Sequence, residues 1–283
     1  MNKIAILGNR GTFCEVAAEI YAKKGGSESE IIYCKTLNSV FDRLDSECQL
    51  GVLPIENTLD GFVQRTIDLL IKNNASIIGE VILPVHFSFV ANSMDTTKVN
   101  KVYCQFKAQG QCLKFLDGLD SVKIITTESN SDSFEQVKMG AETEAAIIPQ
   151  HLLVKKDFPF SVKEITDSPN NETRFIIISK GKQEFDTEKK YKTSLVILDS
   201  VTKQPGMLLN ILMPFKKNGI NLLAIISRPT KQELGEYYFY IELEGHYLEH
   251  RIKKSLEEIS IDNNVKVFGA YEADLGGNYG TII

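Results

Sequence analysis

The sequence predicts a mixed α/β chain made of two small α/β lobes and a ferredoxin-like βαββαβ unit. Three observations carry that prediction. Short apolar runs alternate with helical patterns up to residue 180, the mark of a largely parallel sheet covered by helices. A charged, nearly aperiodic stretch at 180–191 reads as a linker. Beyond it the order becomes strand, helix, strand, strand, helix, strand, which is the split βαβ sandwich. The 283 residues suit about two domains at ~150 residues each. The expected boundaries are 1–180 for the two lobes, with lobe 1 at about 1–75 plus 166–180 and lobe 2 at about 76–165. The linker at 181–191, the βαββαβ unit at 192–275 and a tail at 276–283 follow.

Residues 3–7 (Lys-Ile-Ala-Ile-Leu) read as a buried strand. The turn Gly8-Asn9-Arg10-Gly11 leads into Thr12-Phe13-Cys14-Glu15, which fits a capping box opening a helix through about Lys23. A strand at 30–35, a short helix at 39–46 and a strand at 50–54 come next. The polar turn Glu56-Asn57-Thr58 then precedes an apolar-periodic helix from about Gly61 to Ile71. Lobe 2 shows strands at 76–91, 100–104, 122–126 and 144–148, with helices at 107–117 and 132–139. Residues 173–179 (Thr-Arg-Phe-Ile-Ile-Ile-Ser) form a further strong strand. In the last unit, strand 193–199 precedes a helix that opens at Pro205, a favoured first helical residue, and runs to about Lys217. Strands at 220–228 and 235–244, a helix at 247–258 and a strand at 265–271 complete it.

Composition removes several function classes. With 43% hydrophobic and 24% charged residues the chain has an ordinary globular balance. Its longer apolar runs, such as Leu222–Ile226, fall far short of the ~20 residues of a membrane span. The first residues read as a strand and not as a signal-peptide core, so a cytoplasmic protein is expected. A net charge of −5 without a basic block argues against nucleic-acid binding. The five cysteines (Cys14, Cys34, Cys48, Cys104, Cys112) contain no C-x-x-C pair, which points to reduced thiols without a motif-level catalytic partner. His246 and His250 are spaced i,i+4 but lack the other marks of a metal helix, and no metal is expected.

Three turns carry small polar residues where strands give way to helices: Gly11-Thr12, Asn57-Thr58 and Ser129-Asn130-Ser131. Backbone N–H groups at helix starts attract anions. Helix capping explains any one of these turns, whereas their convergence would make a carboxylate or phosphate pocket. Ligands of such open sheets sit outside the carboxyl ends of the strands. Arg174 in Thr173-Arg174-Phe175 can pair bidentately with a carboxylate or remain solvated. Glu56, at a strand end, can serve as an acid or cap the next helix.

At these residues the sequence resembles the prephenate dehydratase family. Gly8-Asn9-Arg10-Gly11-Thr12-Phe13-Cys14 resembles the family's Gly-Pro-x-Gly-Thr-Phe-Ser segment. Gly51-Val-Leu-Pro-Ile-Glu-Asn-Thr-Leu-Asp-Gly61 is similar to its Gly-Val-Val-Pro-Ile-Glu-Asn-Ser-x-x-Gly signature, and Thr173-Arg174-Phe175 matches its Thr-Arg-Phe motif. Pro205-Gly206-Met207-Leu208-Leu209, Asn218–Leu222 and Ser227-Arg228-Pro229 resemble the family's C-terminal ACT domain.

The resemblance implies lobes like those of type 2 periplasmic binding proteins, with the active site between them. It implies loss of water and CO2 from prephenate to give phenylpyruvate for phenylalanine synthesis, with no metal or organic cofactor. Thr173 and Glu56 would be the catalytic residues. Gly11, Thr12, Cys14, Asn57, Thr58, Ser129, Asn130, Arg174 and Phe175 would bind substrate. Phenylalanine would bind the ACT domain at Gly206, Met207, Leu208, Leu209, Asn221, Ser227, Arg228 and Pro229 and inhibit a homodimer or homotetramer. The chain departs from the family pattern at Asn9, Cys14, Cys104-Gln-Phe-Lys-Ala108 and Asn130, and Ile226 replaces a glutamate before Ser227. Those departures leave two alternatives: a prephenate or arogenate enzyme of altered outcome, and a decayed amino-acid sensor.

Overall fold

A computed structural model describes residues 2–26, 28–153, 157–181, 185–186, 188–198, 205–231 and 236–274. The tail expected at 276–283 lies outside the described residues, as does part of the expected linker. No helix among the described residues is long and apolar enough to cross a membrane.

Lobe 1 opens with β1 (Asn2–Leu7), α1 (Phe13–Lys24), β2 (Ser29–Cys34), α2 (Leu37–Ser46) and β3 (Leu50–Asn57). It continues with β4 (Gly61–Phe62), α3 (Gln64–Lys72) and β5 (Ser76–Pro84). Lobe 2 contains β6 (Phe87–Ala91), β7 (Lys101–Gln105), α4 (Phe106–Gly110), α5 (Leu113–Asp117), β8 (Lys123–Thr127), α6 (Asn130–Lys138), β9 (Glu144–Pro149) and β10 (Phe160–Val162). The chain then returns to lobe 1 in β11 (Glu172–Ser179). The first sheet runs β2-β1-β3-β11-β5 with β4 paired to β3, and the second runs β10-β6-β9-β7-β8. β1, β2 and β3 are parallel, and β11 runs antiparallel between β3 and β5. The ends of β1 and β3 and the start of β11 therefore lie at one edge, facing lobe 2.

Three expectations change. The single strand expected over 76–91 is two strands, and β5 belongs to the first sheet, so the lobe boundary moves from about 76 to about 85. Ile77, Val81 and Leu83 are buried in lobe 1, which holds β5 there up to Pro84. The helix expected at 107–117 breaks into α4 and α5, because Asp167 from a distant loop accepts from the Leu113 N–H (2.8 Å) and the Lys114 N–H (3.1 Å) and starts a new helix. Asn57-Thr58 is not a strand-to-helix turn: β3 continues through Asn57, β4 folds back on it, and α3 starts only at Gln64.

The last unit has the expected order: β12 (Tyr191–Leu198), α7 (Met207–Lys217), β13 (Leu222–Pro229), β14 (Tyr237–Glu244), α8 (His250–Ile259) and β15 (Asn264–Glu272). Its sheet runs β13-β14-β12-β15. α7 starts behind Gly206, whose left-handed φ of 87° suits glycine. One face of this sheet packs on α7 and α8 through Leu195, Ile197, Phe239 and Ile241. The opposite face puts Val196, Tyr238, Tyr240, Phe268 and Tyr271 into the core of lobe 1, alongside Ile55, Ile67 and Ile176. Fully burying a side chain such as Phe268 contributes roughly 1.5–3 kcal/mol. The C-terminal unit is thus part of the lobe 1 core and not a bead on a linker.

The docking leaves no room at Gly269, where an added Cβ would lie 2.2 Å from the Ile77 carbonyl oxygen of β5. Gly269→Ala is expected to cost about 2 kcal/mol or more and to lower the thermal midpoint by several degrees. A thermal melt with an unchanged midpoint would contradict this packing.

Candidate active site at the lobe junction

Alternation along β11 sends adjacent residues to opposite faces. Ile176 and Ile178 join the core shared with the C-terminal unit, whereas Phe175 and Ile177 join the core beneath α1. Thr173, at the start of the strand, is opposite Asn57 of β3. The Asn57 amide donates to Thr173 Oγ1 (2.9 Å), to Asn171 Oδ1 (2.8 Å) and to the Glu172 carbonyl (3.0 Å). Its own oxygen accepts from the Leu59 N–H (3.0 Å) and the Asp60 N–H (3.1 Å), which fixes which end of the amide faces Thr173. Thr173 Oγ1 is therefore an acceptor toward Asn57 and keeps its own proton to donate elsewhere. Asn171 is fully buried and donates to Gln111 Oε1 of lobe 2 (2.9 Å), so the chain of amides crosses the lobe junction. Thr58 Oγ1 donates to the Asn170 carbonyl (3.0 Å) and accepts from the Glu172 N–H (3.0 Å), holding the same loop.

A second meeting point lies at the turn after β1. Ser131 Oγ donates to the Arg10 carbonyl (2.7 Å), and His151 Nε2 lies 3.0 Å from the Gly11 carbonyl. Burial lowers the pKa of His151, so its neutral ring donates there. Gly11 has a φ of 84°, and an added Cβ would meet Leu152 at 3.1 Å. The turns Gly11-Thr12 and Ser129-Asn130-Ser131 thus converge, one from each lobe. Ser129 caps α6 by accepting from the Asp132 N–H (3.0 Å). Thr12 Oγ1 and Asn130 Oδ1 are buried without a partner among the described residues. Orphaned buried polar atoms are rare in native folds and call for an explanation such as function.

The capping box expected at Thr12–Glu15 does not form. Thr12 makes no side-chain cap, and the Glu15 carboxylate instead accepts from the Gly11 N–H and the Tyr33 hydroxyl. The N-terminus of α1 is already neutralised by this residue of its own first turn.

Four expected site residues point away from the junction. The Arg174 guanidinium is buried among three carboxylates: Glu56 (2.9 and 3.1 Å), Glu80 (3.2 Å) and Glu242 of β14 (2.9 Å). Four of its five N–H groups are taken by these carboxylates, which leaves no pair of N–H groups for bidentate binding of a substrate carboxylate, and Glu56, turned to the same face, is its partner and not a free acid. Burial works against the Arg174 charge, but Glu242 and its neighbours more than offset this and raise its pKa. Phe175 is a core residue at 2% exposure. Cys14 is packed with Ile4, Ile6 and Ala17 beneath α1, where burial pushes its thiol up to about 12.

In the C-terminal unit, Gly206, Met207, Leu208 and Leu209 open α7, and Leu208 and Leu209 are exposed. Ser227 and Pro229 are exposed on β13, an edge strand. Arg228 is instead buried against Asp68 of α3 (3.0 and 3.2 Å) and the Tyr238 hydroxyl (2.9 Å). Asn221, bonded to Glu244 (3.0 Å), lies at the far end of β13, ~20 Å from Ser227 at the rise of an extended strand. His246 is a core residue stacked between Phe185 and Tyr247, and its Nδ1 accepts from the Leu248 N–H.

Asn171 and His151 carry the junction but were not singled out by the sequence as site residues, whereas Ser131 was named only as part of the turn Ser129-Asn130-Ser131. Asn171 sits in a polar loop where nothing distinguishes it from Asn170. Glu80 carries the one usable signal, as the lone acid within the apolar strand run 76–84, whereas Glu242 shares its strand with Glu244.

The family model for prephenate dehydratase matches residues 4–183. The prephenate dehydratase of Lactococcus lactis subsp. cremoris is 32% identical over 277 residues, covering 95% of this chain and 97% of that protein. That of Methanocaldococcus jannaschii is 34% identical, covering 92% of each. The crystal structure of prephenate dehydratase from Arthrobacter aurescens in complex with L-Phe superposes with a TM-score of 0.82 at 26% identity, covering 98% of this chain and 94% of that one.

Burial also raises the Cys104 thiol to about 12, and all five cysteines are buried. A colorimetric thiol titration at pH 8 is therefore expected to find less than about one fast-reacting thiol in the native protein and all five after denaturation. Rapid native modification of Cys14 would contradict its place in the core.

Proposed function

The chain belongs to the prephenate dehydratase family, and on that premise we propose that it converts prephenate to phenylpyruvate at the junction of the two lobes. The bond from the ring to its carboxylate breaks, CO2 leaves, and the electron pair enters the ring. The ring hydroxyl departs on the other side and leaves as water after gaining a proton from solvent. Aromatisation drives the change, so the protein must hold the substrate and ease the departure of hydroxide.

The observation that carries this reading is the Asn57–Thr173 pair. Because Thr173 Oγ1 accepts from Asn57 at 2.9 Å, its proton is aimed away from the protein amide. It donates to the departing hydroxyl and stabilises developing negative charge without transferring a full proton. Thr58, Gly11, Thr12, Ser129 and Asn130 line the binding cleft. The unpartnered Thr12 Oγ1 and Asn130 Oδ1 supply polar contacts to the substrate. Glu56 and Arg174 have no direct part in this scheme.

The βαββαβ unit is read as an ACT domain that binds phenylalanine and inhibits the enzyme. Its order of elements, the Gly206–Leu209 and Ser227–Pro229 segments and the ligand of the Arthrobacter aurescens protein support this reading. β13 leaves an edge with Leu223 and Ile225 exposed, which suits pairing with a second copy. Antiparallel pairing centred on Ala224 would bring the partner subunit's Asn221 opposite Ser227, completing one effector site from two chains. A cytoplasmic homodimer, or a pair of such dimers, is the proposed form.

Thr173→Ala is expected to lower kcat for phenylpyruvate formation by about 100-fold or more while leaving the thermal midpoint unchanged. Thr173→Ser, which keeps the hydroxyl, should stay within about tenfold of wild type. Following phenylpyruvate absorbance checks both, and wild-type turnover by the alanine variant would remove Thr173 from its role.

A further inference from the structure

Arg174 is next to Thr173, yet its guanidinium lies on the other face of the sheet, against the C-terminal unit. Nη1 reaches Glu242 of β14 (2.9 Å) and Glu80 of β5 (3.2 Å), while Nε and Nη2 hold Glu56 of β3. A second ion pair runs the opposite way, from Lys192 of β12 to Glu80 (2.8 Å). The side chains of Arg174, Glu80 and Glu242 are 8%, 0% and 3% exposed. The Tyr240 hydroxyl donates to the same Glu242 oxygen (2.6 Å), which orients that carboxylate at Arg174.

The local backbone ties this cluster to the lobe junction. β3 and β11 pair Arg174 with Glu56 but Phe175 with Pro54, so Ile55 is an extra residue in a bulge. The bulge places Glu56 and Arg174 side by side. One residue along each strand, Asn57 and Thr173 form the 2.9 Å pair at the junction. A shift of the guanidinium therefore displaces both members of that pair together.

We propose that Arg174 is a positioning residue, whose contact with Glu242 makes the aim of the Thr173 hydroxyl depend on the docked C-terminal unit. The proposal rests on the dehydratase reading for its turnover readout, although not for its structural one. The charge count favours a clean test. Two cations, Arg174 and Lys192, face three carboxylates, so Glu242→Gln removes the excess negative charge and keeps an acceptor for Arg174. Arg174→Lys keeps the charge, but a single ammonium lacks the fork that spans Glu56 and Glu242.

The test compares wild type, Arg174→Lys, Glu242→Gln and the double variant. Arg174→Lys should lose at least about tenfold in kcat with KM within about threefold, and Glu242→Gln should show a smaller loss of the same kind. The double variant should be no slower than Arg174→Lys, because both changes weaken the same contact. Independent, multiplying losses, or wild-type kcat in folded Arg174→Lys, would overturn the proposal. Amide hydrogen exchange supplies a readout that needs no turnover. Glu242→Gln should raise exchange at 56–58 and 173–175 by about tenfold or more, with α7 and α8 unchanged. Unchanged exchange there would overturn the coupling whatever the turnover, whereas absence of turnover in wild type alone would count against the dehydratase reading instead.

Discussion

The structure depends on the alternation of a single strand. β11 lies between β3 and β5, so it is locked on both edges, and successive side chains must face opposite ways. Thr173 turns to the lobe junction, and Arg174 turns into a buried cluster of carboxylates shared with the C-terminal unit. Removing one partner of such a buried pair costs roughly 3–5 kcal/mol, because the other charge is left without compensation. The strand cannot slip by one residue without exchanging these environments, and that fixes both the site and its link to the third unit.

The third unit is tied to lobe 1 at further points. Besides the Arg174 cluster, Asp68 of α3 receives Arg228, Lys231 and the Tyr238 hydroxyl from the C-terminal unit. Those contacts outweigh the burial that would otherwise raise the Asp68 pKa, and hold it below the usual range. Lys266 donates to the carbonyls of Leu70, Ile71 and Asn73 at the end of α3, at 2.8–3.0 Å. Charges placed at a helix C-terminus are favourable there, and these carbonyls lack partners within the helix. Shared apolar core and crossed ion pairs together make a junction through which a change in one unit is felt in the other.

The order of elements was readable because apolar periodicity and Gly, Pro and Asn punctuation are local properties. The βαββαβ unit and the strand at 173–179 are clear cases. Lobe membership was not readable, because β5 and β6 form one apolar run and only their sheet partners separate them. The polar residues of the site divided in the same way. Thr173 was legible as a polar residue opening a strand and Asn57 as part of a polar turn, and their pairing is visible only once β3 and β11 are neighbours. Arg174 looked like an anion-binding residue because nothing in Thr-Arg-Phe reveals which face of the strand meets the third unit. Its true partners, Glu80 and Glu242, are 94 and 68 residues away along the chain.

The most direct measurement is a crystal structure with phenylpyruvate bound. The account predicts the ligand between the Asn57–Thr173 pair and the tips formed by Gly11-Thr12 and Ser129-Asn130-Ser131, with Thr173 Oγ1 within hydrogen-bond reach and Arg174 still held by its three carboxylates. A ligand carboxylate held by the Arg174 guanidinium, or a ligand bound outside the junction, would contradict it.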